Sequence, residues 1–232
     1  PLDADADTAV YVLARISGEG SDRLTGEGDI SLTKEEVRDI LALNEKYEHF
    51  VLVLNTGGMV DLSPVESVPA ILLMGQLGTP TGDVLADVLT GKSYPSGKLT
   101  MTWAPLDSYP STEGFGGIDD TVYQEGIYLG YRYPETRYED VVMGTAGAGD
   151  FNYNTTVAYP FGYGLSYTEF SYSDLAVTED AVHFTVRNIG SVYGEEIAQL
   201  YIHAATNGMF RPEQELKGFA KVSLNSGEEK QV

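Results

Sequence analysis

Cysteine is absent from the 232 residues. That excludes disulfides and thiolate metal sites, and it suits a cytosolic protein and a secreted bacterial one equally. Positive charge is scarce: 14 Lys and Arg stand against 35 Asp and Glu, for a formal net charge of −21. A phosphate-binding face needs a basic patch, so nucleic acid is not an expected partner. Only 3 histidines occur. His49, His183 and His203 lie far apart without ligand spacing, so no metal is expected on them. No apolar run approaches the roughly 18 residues of a membrane span, so no membrane partner is expected either. Neither a Met nor a basic leader opens the chain, which begins PLDADADTAVYV. The expectation is a piece of something longer, so the missing leader leaves the compartment unknown, bacterial cytoplasm or secretion.

Familiar ligand loops fail on inspection. A strand followed by GEGSDR half matches a dinucleotide loop, but Arg23 stands where its last glycine belongs. GKS at 91–93 would need a glycine at Ala86 for a phosphate-binding loop. DADAD at 3–7 begins like a calcium loop, but Thr8 and Ala14 stand where Gly and Glu are required. It reads as a solvated acidic stretch.

What is present is 42% apolar residues, enough for a sizeable core, and 16 Tyr with a single Trp. Aromatic rings with polar tips suit sugars and interfaces as well as cores. AVYVLARI (9–16), FVLVLN (50–55), AILLM (70–74) and KLTMT (98–102) read as four apolar strands. A helix is predicted over about 34–47, with Thr33 as N-cap and Glu36 completing a capping box. A second opens at Thr79-Pro80 and closes at Gly91. Apolar strands alternating with helices indicate an α/β fold, a mostly parallel sheet sandwiched by helices. Residues 103–158 turn irregular, rich in Gly, Tyr, Pro and Asp, and read as a functional or wrapping segment.

From residue 159 the pattern changes again. FSYSDLAV, AVHFTVRNIG, EEIAQLYIHA and QELKGFAKVSL alternate like strands of a β-sandwich. A seven-stranded sandwich takes about 100 residues and only about 65 remain, so an incomplete one is expected. The organisation read is therefore an α/β domain over 1–158 and a partial sandwich over 159–232.

One loop draws chemical attention. In VLARISGEGSDR, Glu19 sits between Gly18 and Gly20 just past a strand. Ligands of parallel sheets bind beyond the carboxyl ends of strands. Flanking glycines let the backbone turn and a substrate approach. A carboxylate there suits proton transfer when burial raises its pKa. The alternative is a plain turn whose Glu pairs with Arg15 or Arg23.

Several segments together resemble glycoside hydrolase family 3, which holds β-glucosidases and β-xylosidases. They are RISGEGSDR, VLVLNTGGMVDL, GDVLADVLTGKSYPSGKLTMTW, YQEGIYLGYRY, YPFGYGLSYTEFSYSDL and QELKGF, in the family's order and with similar gaps. The resemblance implies a (β/α)8-type barrel, an α/β sandwich and a fibronectin type III-like domain in the whole enzyme. This chain would hold the α/β sandwich domain and the start of the fibronectin-like one. Glu19 falls on the family's general acid/base, and the nucleophilic Asp would lie on the barrel, which has no counterpart here. A retaining mechanism needs both carboxyl groups, about 5–5.5 Å apart, and no cofactor. The substrate implied is a terminal β-linked sugar of an oligosaccharide or glycoside, glucosides first.

The loop GQLGTPTGD lacks a glutamate that some members carry there, so no residue fills that role. Glu125, in YQEGIYLGYR, is the runner-up acid; its bland reading is a structural carboxylate paired with Arg132 or Arg137. Asp22 and Arg23 are expected to pair and hold the Glu19 loop, with a surface ion pair worth about 0–1 kcal/mol as the alternative. Tyr123, Tyr128 and Trp103 are candidates to line an outer sugar subsite, with core or interface packing as the alternative for each. The long insertion RYEDVVMGTAGAGDFNYNTTVAYPFGYG resembles a form found in anaerobic gut bacteria, some of whose enzymes are circularly permuted, so the barrel is expected on either side. The competing reading from another class is a non-catalytic carbohydrate-binding or scaffold module that kept the fold.

Overall fold

The computed structural model describes residues 6–16, 20, 22–109, 119–121, 123, 125–142, 144, 149–205 and 211–232, the side chains of 138–140 and 142 excepted. The chain divides into two compact units, Pro1–Lys92 and Ser93–Val232.

The first unit is α/β. Its elements are β1 (Thr8–Ala14), α1 (Lys34–Lys46), β2 (His49–Asn55), β3 (Ile71–Leu73) and α2 (Thr81–Leu89). The three strands pair in parallel in the order β1-β2-β3. β2 is nearly apolar throughout because it lies between the other two; Leu52, Val53 and Leu54 are at most 1% exposed. β1 is an edge strand with a clear alternation. Leu13 is buried, while Val10 and Val12 stay exposed.

Helix α1 starts as its sequence requires. The Thr33 hydroxyl accepts from the Glu36 N–H at 3.2 Å, and the Glu36 carboxylate accepts from the Thr33 N–H at 2.8 Å. Its inner face buries Ile40 and Leu43. Helix α2 differs from expectation at its start. Pro80 occupies the N-cap and no side chain caps the helix. The Thr81 hydroxyl instead donates to the Gly78 carbonyl at 2.6 Å.

Register places the strand ends together. Ala14 is opposite Asn55, and Leu54 is opposite Leu73. The loops that follow all three strands therefore leave from one edge of the sheet, the carboxyl edge where α/β proteins bind ligands.

The second unit begins irregularly. KLTMT does not form the predicted fourth strand. Backbone bonds from Leu99 N–H to the Tyr163 carbonyl, and from Gly162 N–H to the Leu99 carbonyl, tie this segment to a turn instead. Trp103 and Tyr159 add one antiparallel bridge. The stretch read as irregular also contains α3 (Arg132–Val142) and α4 (Tyr153–Thr156). Pro134 falls in the first turn of α3, where its missing N–H costs nothing, so it did not rule a helix out.

The β part follows the predicted strands: β4 (Phe170–Val177), β5 (Val182–Asn188), β6 (Gly194–Ile202) and β7 (Glu215–Leu224), with β8 (Glu229–Gln231) added. They form two antiparallel sheets, β4-β5-β8 and β6-β7. Val186, Ala198, Val222 and Leu224 make the core, with Phe170, Phe184 and Val232 packed on it. Asn188 is fully buried inside it. Its carbonyl accepts from the Thr168 hydroxyl at 2.7 Å and the Gly190 N–H at 3.1 Å. Its amide donates to the Val192 and Leu224 carbonyls at 2.8 and 3.1 Å. Since Leu224 ends β7, this one side chain joins the two sheets.

Candidate active-site loop

The loop from Arg15 to Leu24 leaves the carboxyl end of β1. Glu19 lies outside the described residues, as do Ser17, Gly18 and Ser21. The residues on both sides of them are held by two arginines. Arg15, with a side chain 6% exposed, makes a two-pronged pair with Glu36 at 2.8 and 2.7 Å. Its Nε donates to the Asp29 carbonyl at 2.7 Å, and its Nη1 also donates to the Ala14 carbonyl at 2.9 Å. On the far side, the Arg23 Nε donates to Asp29 Oδ1 at 2.7 Å, and Nη1 donates to the Met59 carbonyl at 2.6 Å. The second Asp29 oxygen accepts from the Leu24 N–H at 2.6 Å.

Asp29 is thus gripped twice, on its carbonyl by Arg15 and on its carboxylate by Arg23. The Leu24 N–H, above all, holds its carboxyl below the ordinary carboxylate range; burial works the other way and Arg23 adds to the lowering. This corrects the expected pairing. Arg23 pairs with Asp29 and not with Asp22, which is exposed. Adjacent side chains leave an extended backbone in opposite directions, whereas the 24–31 turn brings Asp29 back to Arg23. Asp29 was not singled out in the sequence, because the turn that returns it carries no periodic pattern.

Within the loop, Gly20 has φ +93, a left-handed conformation that costs glycine little and other residues more. Gly58 lies under Arg23; a Cβ there would come within 3.1 Å of Nη1. The loop after β2 therefore supports the loop after β1.

The remaining candidates lie in the second unit. Glu125 is half-buried in a turn whose carbonyl accepts from the Tyr128 N–H at 3.0 Å. It pairs with neither expected arginine. Arg132 faces Glu215 at 3.5 Å, and Arg137 lies over the Phe151 ring at 4.6 Å. Helix α3 turns one guanidinium toward β7 and the other toward Phe151, ahead of α4. Tyr123 is 77% exposed and Tyr128 is half-buried. Trp103 is 5% exposed, with its ring edge-on to Tyr159 at 6.2 Å. That is packing, and it leaves no open indole face for a sugar.

Among the described residues, no group of three or more His, Asp or Glu is arranged to hold a metal. No helix among them is long and apolar enough to cross a membrane.

Residues 2–131 match the family model of the glycosyl hydrolase family 3 C-terminal domain, and residues 196–232 match that of a fibronectin type III-like domain. The chain is 38% identical to the thermostable beta-glucosidase B of Acetivibrio thermocellus, over 92% of this chain and 27% of that protein. It is 36% identical to beta-glucosidase A of Butyrivibrio fibrisolvens, over 99% and 32%. Among solved structures, beta-glucosidase 3B from Thermotoga neapolitana in complex with glycerol superposes with a TM-score of 0.83 at 38% identity, covering 97% of this chain and 32% of that one. The chain thus spans about a quarter to a third of the length of these relatives. With the parallel sheet, the antiparallel sheets and the two family matches in agreement, the chain belongs to glycosyl hydrolase family 3.

Proposed function

We propose that this chain is part of a retaining, exo-acting β-glycosidase, a β-glucosidase in the first instance, and that it supplies the general acid/base, Glu19. The nucleophilic Asp is assigned to a barrel domain elsewhere in the enzyme. The observation that carries this reading is the doubly clamped loop at the carboxyl edge of a parallel sheet. Both stems of the segment holding Glu19 are tied to Asp29, and Gly20 supplies the sharp turn beside it. A rigid frame of this kind is what a proton donor needs, because proton transfer demands hydrogen-bond distance to the glycosidic oxygen.

Glu19 would protonate the leaving oxygen in the first half-reaction and take a proton from water in the second. The beta-glucosidase relatives support glucosides as the substrate class. The α/β domain is assigned to 1–158, with 103–158 as its wrapping segment, and a partial fibronectin-like domain to 159–232. The matches over residues 2–131 and 196–232 support the order of the two domains.

The test uses the full-length enzyme and aryl β-glucosides with good and poor leaving groups. Glu19→Gln should cripple hydrolysis of the poor leaving group far more than the good one, because only the poor one needs the proton. Glu125→Gln should be mild or uniform across the series. Near wild-type rates for Glu19→Gln on both substrates would overturn the assignment. They would point to Glu125, or to a chain that is a binding or scaffold module.

A further inference from the structure

The second unit contains a cleft of about 400 Å³, a size typical of small-molecule sites. Its walls come from the 160–163 turn, β4, β6, α3 and α4, with Lys98 and Gln214. The aromatic part is locked in place. Phe161 stacks on the buried Tyr131 with centroids 4.3 Å apart, and Tyr201 stands edge-on to both. Gly162 has φ +79, and a Cβ on it would overlap Gln199 Oε1 and the Tyr201 hydroxyl. The turn is therefore pressed onto β6. Gln199 Nε2 donates to the Gly162 carbonyl at 2.9 Å, and the Tyr201 hydroxyl donates to Gln199 Oε1 at 2.7 Å.

The one cation of the lining is already paired. Lys98 pairs with Glu196 at 3.0 Å, with side chains 14% and 12% exposed. The Tyr172 hydroxyl donates to the other Glu196 oxygen at 2.9 Å. Glu135, from α3, has one carboxyl oxygen buried with no hydrogen-bond partner. Burial pushes its carboxyl up to about 7, the Gln214 amide beside it pulls the other way, and the Glu213 charge adds to the rise. A phosphate would find no free cation here. A divalent metal would find one carboxylate already spent on Lys98.

What the walls offer is an aromatic surface and an unpartnered carboxyl oxygen, in a cleft whose one lysine is already paired. A pyranose ring matches this, with C–H faces for the rings and hydroxyls for the carboxyl group. We propose that the cleft between Phe161, Tyr201 and Glu135 binds a neutral sugar ring. This goes beyond the acid/base assignment and does not depend on it.

The test is hydrogen exchange on the full-length protein with methyl 1-thio-β-D-glucopyranoside, which resists hydrolysis. At about 100 mM the probe fills a millimolar site. Exchange across residues 153–163 and 196–201 should slow by about threefold or more. Glu135→Ala and Phe161→Ala should abolish that slowing, and Glu135→Gln, which keeps the shape and a hydrogen-bonding oxygen, should retain it. No slowing at these segments overturns the proposal, as does slowing that survives both Glu135→Ala and Phe161→Ala. Slowing confined to residues 15–24 overturns the cleft and leaves the Glu19 assignment standing. Slowing at the cleft in an enzyme whose Glu19→Gln variant keeps full activity does the reverse.

Discussion

Arg15 and Glu36 meet as a two-pronged pair, Nη1 to Oε1 at 2.8 Å and Nη2 to Oε2 at 2.7 Å, across 21 residues of chain. Glu36 is also the residue that closes the capping box of α1. One carboxylate therefore starts the helix and anchors the strand end from which the candidate loop departs. Glu36→Gln should lower stability by about 1–3 kcal/mol, since it weakens charge-assisted bonds to a buried guanidinium. Faster hydrogen exchange across residues 8–14 and 34–46 of the full-length protein would report it. The pH dependence has a definite sign. Burial raises the Glu36 pKa, but the bonds from Arg15 and the Thr33 N–H outweigh it, so the carboxyl lies below its ordinary 4.5. The folded protein then binds this proton less tightly than the unfolded chain. The stabilisation is complete above about pH 5 and is lost as the pH falls through the lowered value. The Gln variant should lose that part of the acid sensitivity.

Asp29→Asn should act on rate more than on binding. It removes the charge that holds Arg23 and leaves the backbone acceptor for Arg15 in place. On the proposed role of Glu19, kcat for a poor leaving group should fall by about tenfold to a hundredfold, the scale of a small misplacement of a reacting group. KM and the rate on a good leaving group should change little. Equal losses on both substrates would indicate a general folding defect instead.

Asn188→Ala should be among the most destabilising changes in the second unit. It strands the Val192 and Leu224 carbonyls and the Thr168 hydroxyl around a fully buried site. A loss of roughly 2–4 kcal/mol is expected. Asn188→Asp should not rescue it, because a carboxylate cannot donate to the two carbonyls. Denaturant midpoints of the full-length variants provide the measurement.

Glu135 should make the second unit less stable as the pH rises. Its carboxyl, at about 7 against an ordinary 4.5, holds its proton more tightly in the folded protein. The groups facing it are Glu213, Gln214, Tyr153 and Tyr201, which offer no positive charge. The favourable contribution is present below about pH 4.5, declines through the interval and is gone above about pH 7. Glu135→Gln should flatten the stability profile over that window while leaving its acid end unchanged. An unchanged slope between pH 5 and 7 would place the titration elsewhere.

Local pattern was enough for most of the fold. The Thr33–Glu36 capping box, the apolar run of β2 and the alternation from β4 to β7 are written in neighbouring residues, because helix starts and strand faces obey short-range rules. Helix α3 was missed because Pro134 and a weak apolar pattern hid it. Strand β8 was missed because its three exposed residues carry no alternation, and pairing with β5 alone defines it. KLTMT had the composition of a strand but found its backbone partners in a turn some 60 residues away.

The candidate loop was legible for the same local reason. A glutamate between glycines at a strand end is a short-range pattern, and its family resemblance spans the whole chain. Which carboxylate each arginine takes was not legible. Arg15 reaches Glu36 and the Asp29 carbonyl, Arg23 reaches the Asp29 carboxylate, and Arg132 reaches Glu215. The sequence by itself determined the capping box of α1, the strands β1 to β7 and the α/β and β character of the two regions. Only the tertiary structure decided the ion-pair partners, the burial of Trp103 and the aromatic cleft. Those depend on which distant segments are brought together, and side-chain charge carries no record of distance along the chain.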